Sequence, residues 1–211
     1  MSLDSGKVII PGNGNILHGE VDTLPFNPAQ FVIGNPATYG EGWNSFGHTS
    51  RENPPEFEKD GGDPSQKGSW EQDAIDVVYE PVSWSGVINA LEMSRETYEL
   101  VLPEGEWSEE LGGYYDVYGD GKAEVALFFI FVQGTKRSGL WFPRVSLGLG
   151  DPPSVDVEEF FETQASFQAL SSQTLTTRSG RAVKHRWFPV RQYDGTASPA
   201  LLSPSDTDPA N

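Results

Sequence analysis

Val125-Ala-Leu-Phe-Phe-Ile-Phe-Val132 is the longest apolar run in the chain. The glycine-bounded segment Gly134-Thr-Lys-Arg-Ser-Gly139 separates it from Leu140-Trp-Phe-Pro-Arg-Val-Ser-Leu-Gly-Leu149. Side chains alternate between the faces of a strand. Val125, Leu127, Phe129 and Phe131 therefore share one face, and Ala126, Phe128, Ile130 and Val132 share the other. A strand apolar on both faces is buried on both. The spacing predicts a long hairpin over residues 122–149, with Pro143 marking an edge or bulge because proline has no N–H for the ladder.

Outward from this hairpin the chain reads as short strands and turns. Lys7-Val-Ile-Ile10 is a β-type run stopped by Pro11-Gly12-Asn13-Gly14. Residues 18–28 read as a loop, and Gln30–Ile33 is a second short apolar run. Residues 40–68 are mostly irregular, yet Trp43, Phe46 and Phe57 argue for an ordered loop that buries its rings on something, a neighbouring subunit included. Residues 69–79 and 82–91 alternate as strands. Ser94-Arg-Glu-Thr-Tyr-Glu-Leu-Val-Leu102 is a helix capped by Ser94 and ended by Pro103, with Leu91, Tyr98 and Leu102 on one face. Residues 104–121 read as an acidic, glycine-rich loop. Odd-position alternation predicts a strand over 155–170, and Gln173–Thr177 with Ala182–Val190 reads as a last hairpin. Residues 1–191 form one domain, and the polar tail 192–211 is expected to be disordered.

Composition excludes several classes of function. The chain has 211 residues, no cysteine, 31 acids against 14 Lys and Arg, and a net charge of −17. No thiol chemistry or disulfide is available. Tight binding to phosphates draws on Lys and Arg, so a nucleic-acid binder is disfavoured. No apolar run reaches the length of a membrane span, and the N-terminus shows no secretory pattern, so synthesis in a cytoplasm is expected. Charge is uneven: residues 1–135 carry 23 acids and 6 bases, and residues 136–191 carry 5 acids and 8 bases. Such asymmetry suits a head-to-tail contact between copies.

Chemistry-bearing patterns are sparse. His18, His48 and His185 are scattered, and no nucleophile elbow, metalloprotease motif or phosphate loop occurs. Asp116, Asp120 and Glu124 flank Gly-Asp-Gly, which fits either a calcium turn or a plain hairpin turn. Asp60-Gly-Gly-Asp63 has the same two readings. Six tryptophans leave open a carbohydrate-binding β-sandwich, and the many acids leave open a glycosidase-like carboxylate pair. No cofactor is implied.

Gly42-Trp43, Gly47-His48-Thr49-Ser50, Pro55-Glu56-Phe57, Asp60-Gly61-Gly62-Asp63 and Lys67-Gly68-Ser69-Trp70, in this order, resemble the major tail proteins of long-tailed bacteriophages that infect actinobacteria. Tyr98-Glu99-Leu100 is similar to a family element in the helix. The resemblance runs over about residues 30–190. It implies a mainly β fold: a β-sandwich or half-barrel of two packed antiparallel sheets with one flanking α-helix. It implies six copies per ring, rings stacked into a tube, and a long loop near residues 40–68 that reaches the adjacent ring. The assembly residues would then be Trp43, Phe46, His48, Phe57, Asp60, Asp63 and Trp70. Implied partners are sister subunits, a tape-measure protein, and terminator and baseplate or tail-tip proteins, with no catalytic residue. A passage for DNA is best lined by acids, because like charge prevents adhesion to phosphates. Strand alternation nominates Glu71, Asp73, Asp76 and Glu124 for that lining.

Overall fold

The computed structural model describes residues 4–67, 76–153, 155 and 157–195. Its strands are β1 (Asn13–Gly19), β2 (Asn44–Ser45), β3 (Glu56–Asp60), β4 (Pro64–Lys67), β5 (Asp76–Tyr79), β6 (Ser83–Ala90), β7 (Gly105–Ser108), β8 (Tyr114–Val117), β9 (Ala123–Gln133), β10 (Lys136–Leu149), β11 (Thr163–Ala169) and β12 (Arg186–Gln192). The one α-helix among the described residues, α1, spans Arg95–Val101. Eight strands form one antiparallel sheet in the order β2-β1-β9-β10-β11-β6-β3, with β12 added beside β10. β4 with β5 and β7 with β8 make two small separate sheets.

The central hairpin forms as its sequence predicts. β9 pairs with β10 from Lys136↔Gln133 to Leu147↔Ala123, and the register slips between Phe142 and Val145, at Pro143. The slip also divides β10's other edge. Lys136–Trp141 pairs with β12, and Val145–Leu149 pairs with β11. Both faces of β9 are buried, but in different layers. Leu127 and Phe129 join Ile88, Leu140, Phe142, Leu147 and Phe167 in an inner core. Phe128 and Ile130 join Leu17, Phe26, Phe31, Trp43 and Trp141 in an outer core, formed where the sheet meets residues 26–43 and 175–188.

The inner core requires a curled sheet. β3 lies four strand steps from β9, about 19 Å if the sheet were flat. Yet the Phe57 ring of β3 meets the Phe129 ring of β9 at 4.8 Å, edge to face. Residues 44–60 fasten both edges of the curl. Phe46 N–H donates to Ile16 O (2.8 Å), then Leu91 N–H donates to His48 O (2.8 Å) and Ser50 N–H to Asn89 O (2.9 Å). The result is a half-barrel strapped shut by one segment.

Several expectations are corrected. Residues 7–10 are not a strand: Asp4 Oδ1 accepts from Gly6 N–H and caps a turn over Ser5–Lys7, leaving Val8 and Ile10 exposed. The strand begins instead at Asn13, inside the expected turn, because β9 offers it a partner along its whole length. A Cβ on Gly14 would press on the Ile130 carbonyl, so that glycine serves close approach. Residues 40–67, expected to be mostly irregular, hold β2, β3 and β4, and the rings of Trp43, Phe46 and Phe57 pack within the subunit. Residues 104–121 contain the β7–β8 hairpin, where Tyr115 stacks on Tyr98 at 5.8 Å and its hydroxyl donates to Leu102 O.

The helix is capped by Ser94 as expected, but its buried side is Thr97, Leu100 and Val101. Of residues 155–170 only β11 is strand; Val155, Val157, Phe160 and Phe161 are exposed. The last hairpin reduces to a single bridge, Thr176↔Ala182, and β12 pairs with β10. Beyond residue 191, Tyr193 N–H donates to Thr135 O and the Arg137 guanidinium lies over the Tyr193 ring at 5.4 Å. Residues 196–211, most of the expected tail, lie outside the described residues.

Replacing the fully buried Phe142 by Ala is expected to cost about 3–5 kcal/mol, read as a lower urea midpoint. A second variant tests the strap. A Cβ on Gly86 would collide with the Glu56 carbonyl and the Phe167 ring. Gly86→Ala should therefore speed amide exchange in β3 while β9 stays protected.

Candidate assembly surfaces

The outward side of the curled sheet is unevenly covered. Over β1, β9 and the first half of β10 it carries the outer core. Over β3, β6, β11 and the second half of β10 no layer covers it among the described residues, and its side chains are polar. Ser83 and Ser85 on β6, Ser146 on β10, and Ser166 and Gln168 on β11 line a shallow groove there with Glu58, Lys59 and Asp60 of β3 and Lys122 before β9. The register sets Glu58 opposite Ser85 and Asp60 opposite Ser83. Glu56, Glu58 and Asp60 are all exposed and make no ion pair among the described residues.

The residues singled out in the sequence fall in different places. Trp43 is 5% exposed and donates its indole N–H to Leu24 O, so it belongs to the outer core. Phe46 is 3% exposed and packs in the inner core, where Phe57 is half-buried. His48 is exposed, with its ring 3.7 Å from the Glu92 carboxylate. Asp60 caps its own turn by accepting from Gly61 N–H, and Asp63 O accepts from Glu80 N–H. Gly61 and Gly62, at φ of 78° and 85°, make that turn possible. Trp70, Glu71 and Asp73 lie outside the described residues, and Asp76 is placed only through its backbone pairing with Lys67. Glu124 is held by Arg144 through two hydrogen bonds, Nε to Oε2 at 2.9 Å and Nη2 to Oε1 at 2.8 Å. That bidentate pair offsets most of its charge.

Patterns that suggested chemistry do not converge. Among the described residues no group of three His, Asp or Glu side chains is gathered closely enough to hold a metal ion. The Gly119-Asp120-Gly121 turn does not close a hairpin; it links the small β7–β8 sheet to β9. Trp141 and Trp43 are buried, and Trp84 packs on the inner core beside His185. No row of exposed indoles lies on one face among the described residues. No described helix is long and apolar enough to cross a membrane.

Two surfaces escaped the sequence reading. One is the β4–β5 hairpin, which among the described residues forms a two-stranded sheet of its own and exposes Val77, Val78 and Tyr79. The other is the exposed apolar group at 155–161. The Pro152-Pro153 pair and the acids around that group argue against a strand there and carried the available signal.

His18 and His185 have pKa values lowered by burial, with Lys184 adding to the effect at His185. The unfolded chain then binds more protons than the folded one below the ordinary imidazole value of 6.5. Stability is expected to be full above that pH and to decline as pH falls through it. Urea midpoints from pH 8 to 5.5 check this, and His18→Gln should flatten the decline.

The chain matches the family described as phage tail tube protein over residues 1–179. It is similar to the major tail protein Gp23 of Mycobacterium phage D29, 35% identical over 180 residues, covering 82% of this chain and 89% of that protein. It is also similar to the major tail protein Gp23 of Mycobacterium phage L5, 27% identical over the same shares of both chains.

Proposed function

We propose how this chain, which belongs to the phage tail tube protein family, builds the tube of a virion tail and passes DNA through it. The family is structural and not enzymatic, and its members assemble as parts of the tail. In our reading the half-barrels stand side by side in rings of six, the number the resemblance implies, and the rings stack.

The bare polar face carries this reading. A curled antiparallel sheet with one half of its outer side covered and the other half open has one side suited to protein and one suited to water. The open half bears short hydroxyl and amide groups with Glu56, Glu58 and Asp60 along one border. Turned to the lumen, it presents acids that repel phosphates, while two of its long basic chains are tied down: Lys122 Nζ donates to Leu149 O and Arg144 pairs with Glu124. Glu124 belongs on that side by strand parity. Its pairing with Arg144 makes it a fixed, nearly neutral member, and Glu58 and Asp60 carry the repulsion. Glu71, Asp73 and Asp76, on or before β5, remain lumen candidates by position.

Within and beside the expected long loop at 40–68, the exposed turn at Asp60–Asp63 and the β4–β5 hairpin are the parts that reach a neighbouring ring. Val77, Val78 and Tyr79 supply apolar area for that contact. Residues 1–191 act as the tube-forming domain. The tube's ends and interior would meet terminator, baseplate and tape-measure proteins.

Concentrated, purified chain should show rings or hollow tubes in negative-stain electron microscopy. Permanent monomers, together with absence of the chain from isolated virion tails, would remove the reading. In tubes, a Ser85→Cys side chain should be shielded from a bulky maleimide, whereas Glu41→Cys on the outer layer stays reactive. Equal labelling of both in tubes would move the lumen elsewhere.

A further inference from the structure

Two segments of opposite charge sit at opposite ends of the β6–β11 strand pair. Residues 151–162 carry five acids and no base, and residues 178–191 carry five bases and no acid. The acidic segment leads into β11, whose first residue, Thr163, pairs with Ala90 at the end of β6. Glu162 is anchored there by Asn53 Nδ2 at 2.9 Å. The basic segment is anchored at the start of β6: Lys184 Nζ donates to Val82 O at 3.1 Å, and Trp84 meets His185 at 4.8 Å and Trp187 at 6.4 Å. Trp84 and Ala90 are about 20 Å apart along the strand, so the anchored Glu162 and Lys184 are not partners within one copy.

Each segment also exposes apolar area. Val155 is 82%, Val157 97%, Phe160 74% and Phe161 44% exposed, and Trp187 is 56% exposed at the other end. Isolated exposed apolar residues are ordinary, but four within seven residues, flanked by acids, mark a contact surface. Charge decides which contact. A two-fold dimer joining like ends would set acids against acids, whereas a heterologous contact sets acids against bases and repeats from copy to copy, closing into a ring where the rotation allows. The β4–β5 hairpin is a poorer receptor, because the adjoining Asp60, Asp63 and Glu80 would repel Glu158 and Glu159. Those three acids share the basic end with Lys59, so the docking area is the run from Arg181 to Trp187.

We infer that residues 157–162 of one copy dock on the Arg181–Trp187 run of the next copy, acid to base and Phe160 to Trp187, joining subunits head to tail. The contact rests on the tube reading above and specifies the surfaces that one copy offers another. It gives the acidic and basic parts of one chain a shared use.

Carbodiimide coupling tests it. The reagent activates a carboxylate, a neighbouring lysine amine displaces it, and an amide forms as the reagent leaves as its urea. Full-length chain prepared in isotopically light and heavy forms is mixed, concentrated and coupled. Light–heavy peptides joining Lys184 to Glu158 or Glu159 are expected. Tubes whose inter-copy links never include Lys184 overturn the docking and leave the tube reading standing. A chain giving neither tubes nor inter-copy links at any concentration, and absent from isolated virion tails, removes both. Charge reversal is the second measurement. Glu159→Lys and Lys184→Glu each should cut tube yield about tenfold, and the two together should restore it. Undiminished yield from both single variants overturns the contact.

Discussion

The structure depends on one constraint: β9 is apolar on both faces and must be covered twice. No single layer can do this. On one side the sheet curls until Phe57, four strands away, closes over Phe129. On the other side residues 26–43 and 175–188 lie across Phe128 and Trp141. The curl, the outer layer and the bare remainder of the outer face all follow from those two demands. The outer layer extends only as far as the outward apolar residues do. Where β6, β10 and β11 turn Ser, Gly and Gln outward, nothing needs covering.

The Pro143 bulge assigns territory within this arrangement. A straight fourteen-residue strand would keep one neighbour along each edge. The slip after Phe142 ends pairing with β12 and begins pairing with β11. The chain thus gives the end of β10 to the half-barrel and its beginning to the outer layer. Arg137 marks the outer part. It is buried, and its guanidinium donates to the carbonyls of Phe31, Gly134 and Lys136. Those bonds occupy the Nε and Nη1 donors of a cation whose pKa burial has lowered.

What the sequence disclosed followed periodicity. β9, β10, β6 and α1 were legible because their apolar positions repeat over seven or more residues or carry a cap. β1 was hidden because its residues, Asn-Gly-Asn-Ile-Leu-His-Gly, have turn chemistry, and only the backbone of β9 makes them a strand. Residues 155–161 misled in the opposite sense: they alternate, yet no partner strand is offered to them. Phe57 looked like a loop residue because its strand is polar elsewhere and its ring serves a core built by distant strands. Of the candidate surface, Asp60 and Asp63 were legible as a turn. The short-chained face was not, because serines and glutamines spread over three strands form no motif in a linear chain.

The strap formed by residues 44–60 has a mechanical consequence. In an open sheet an edge strand peels under load, one hydrogen-bonded pair at a time. Here the same seventeen residues are bonded to β1 at one end and to β6 at the other, with Phe46 and Phe57 keyed into the inner core. A pull on either edge is carried around the circumference as tension in this hoop. The inner core must then shear as a unit before the curl can open, so the subunit resists bursting more strongly than its short edge strands suggest.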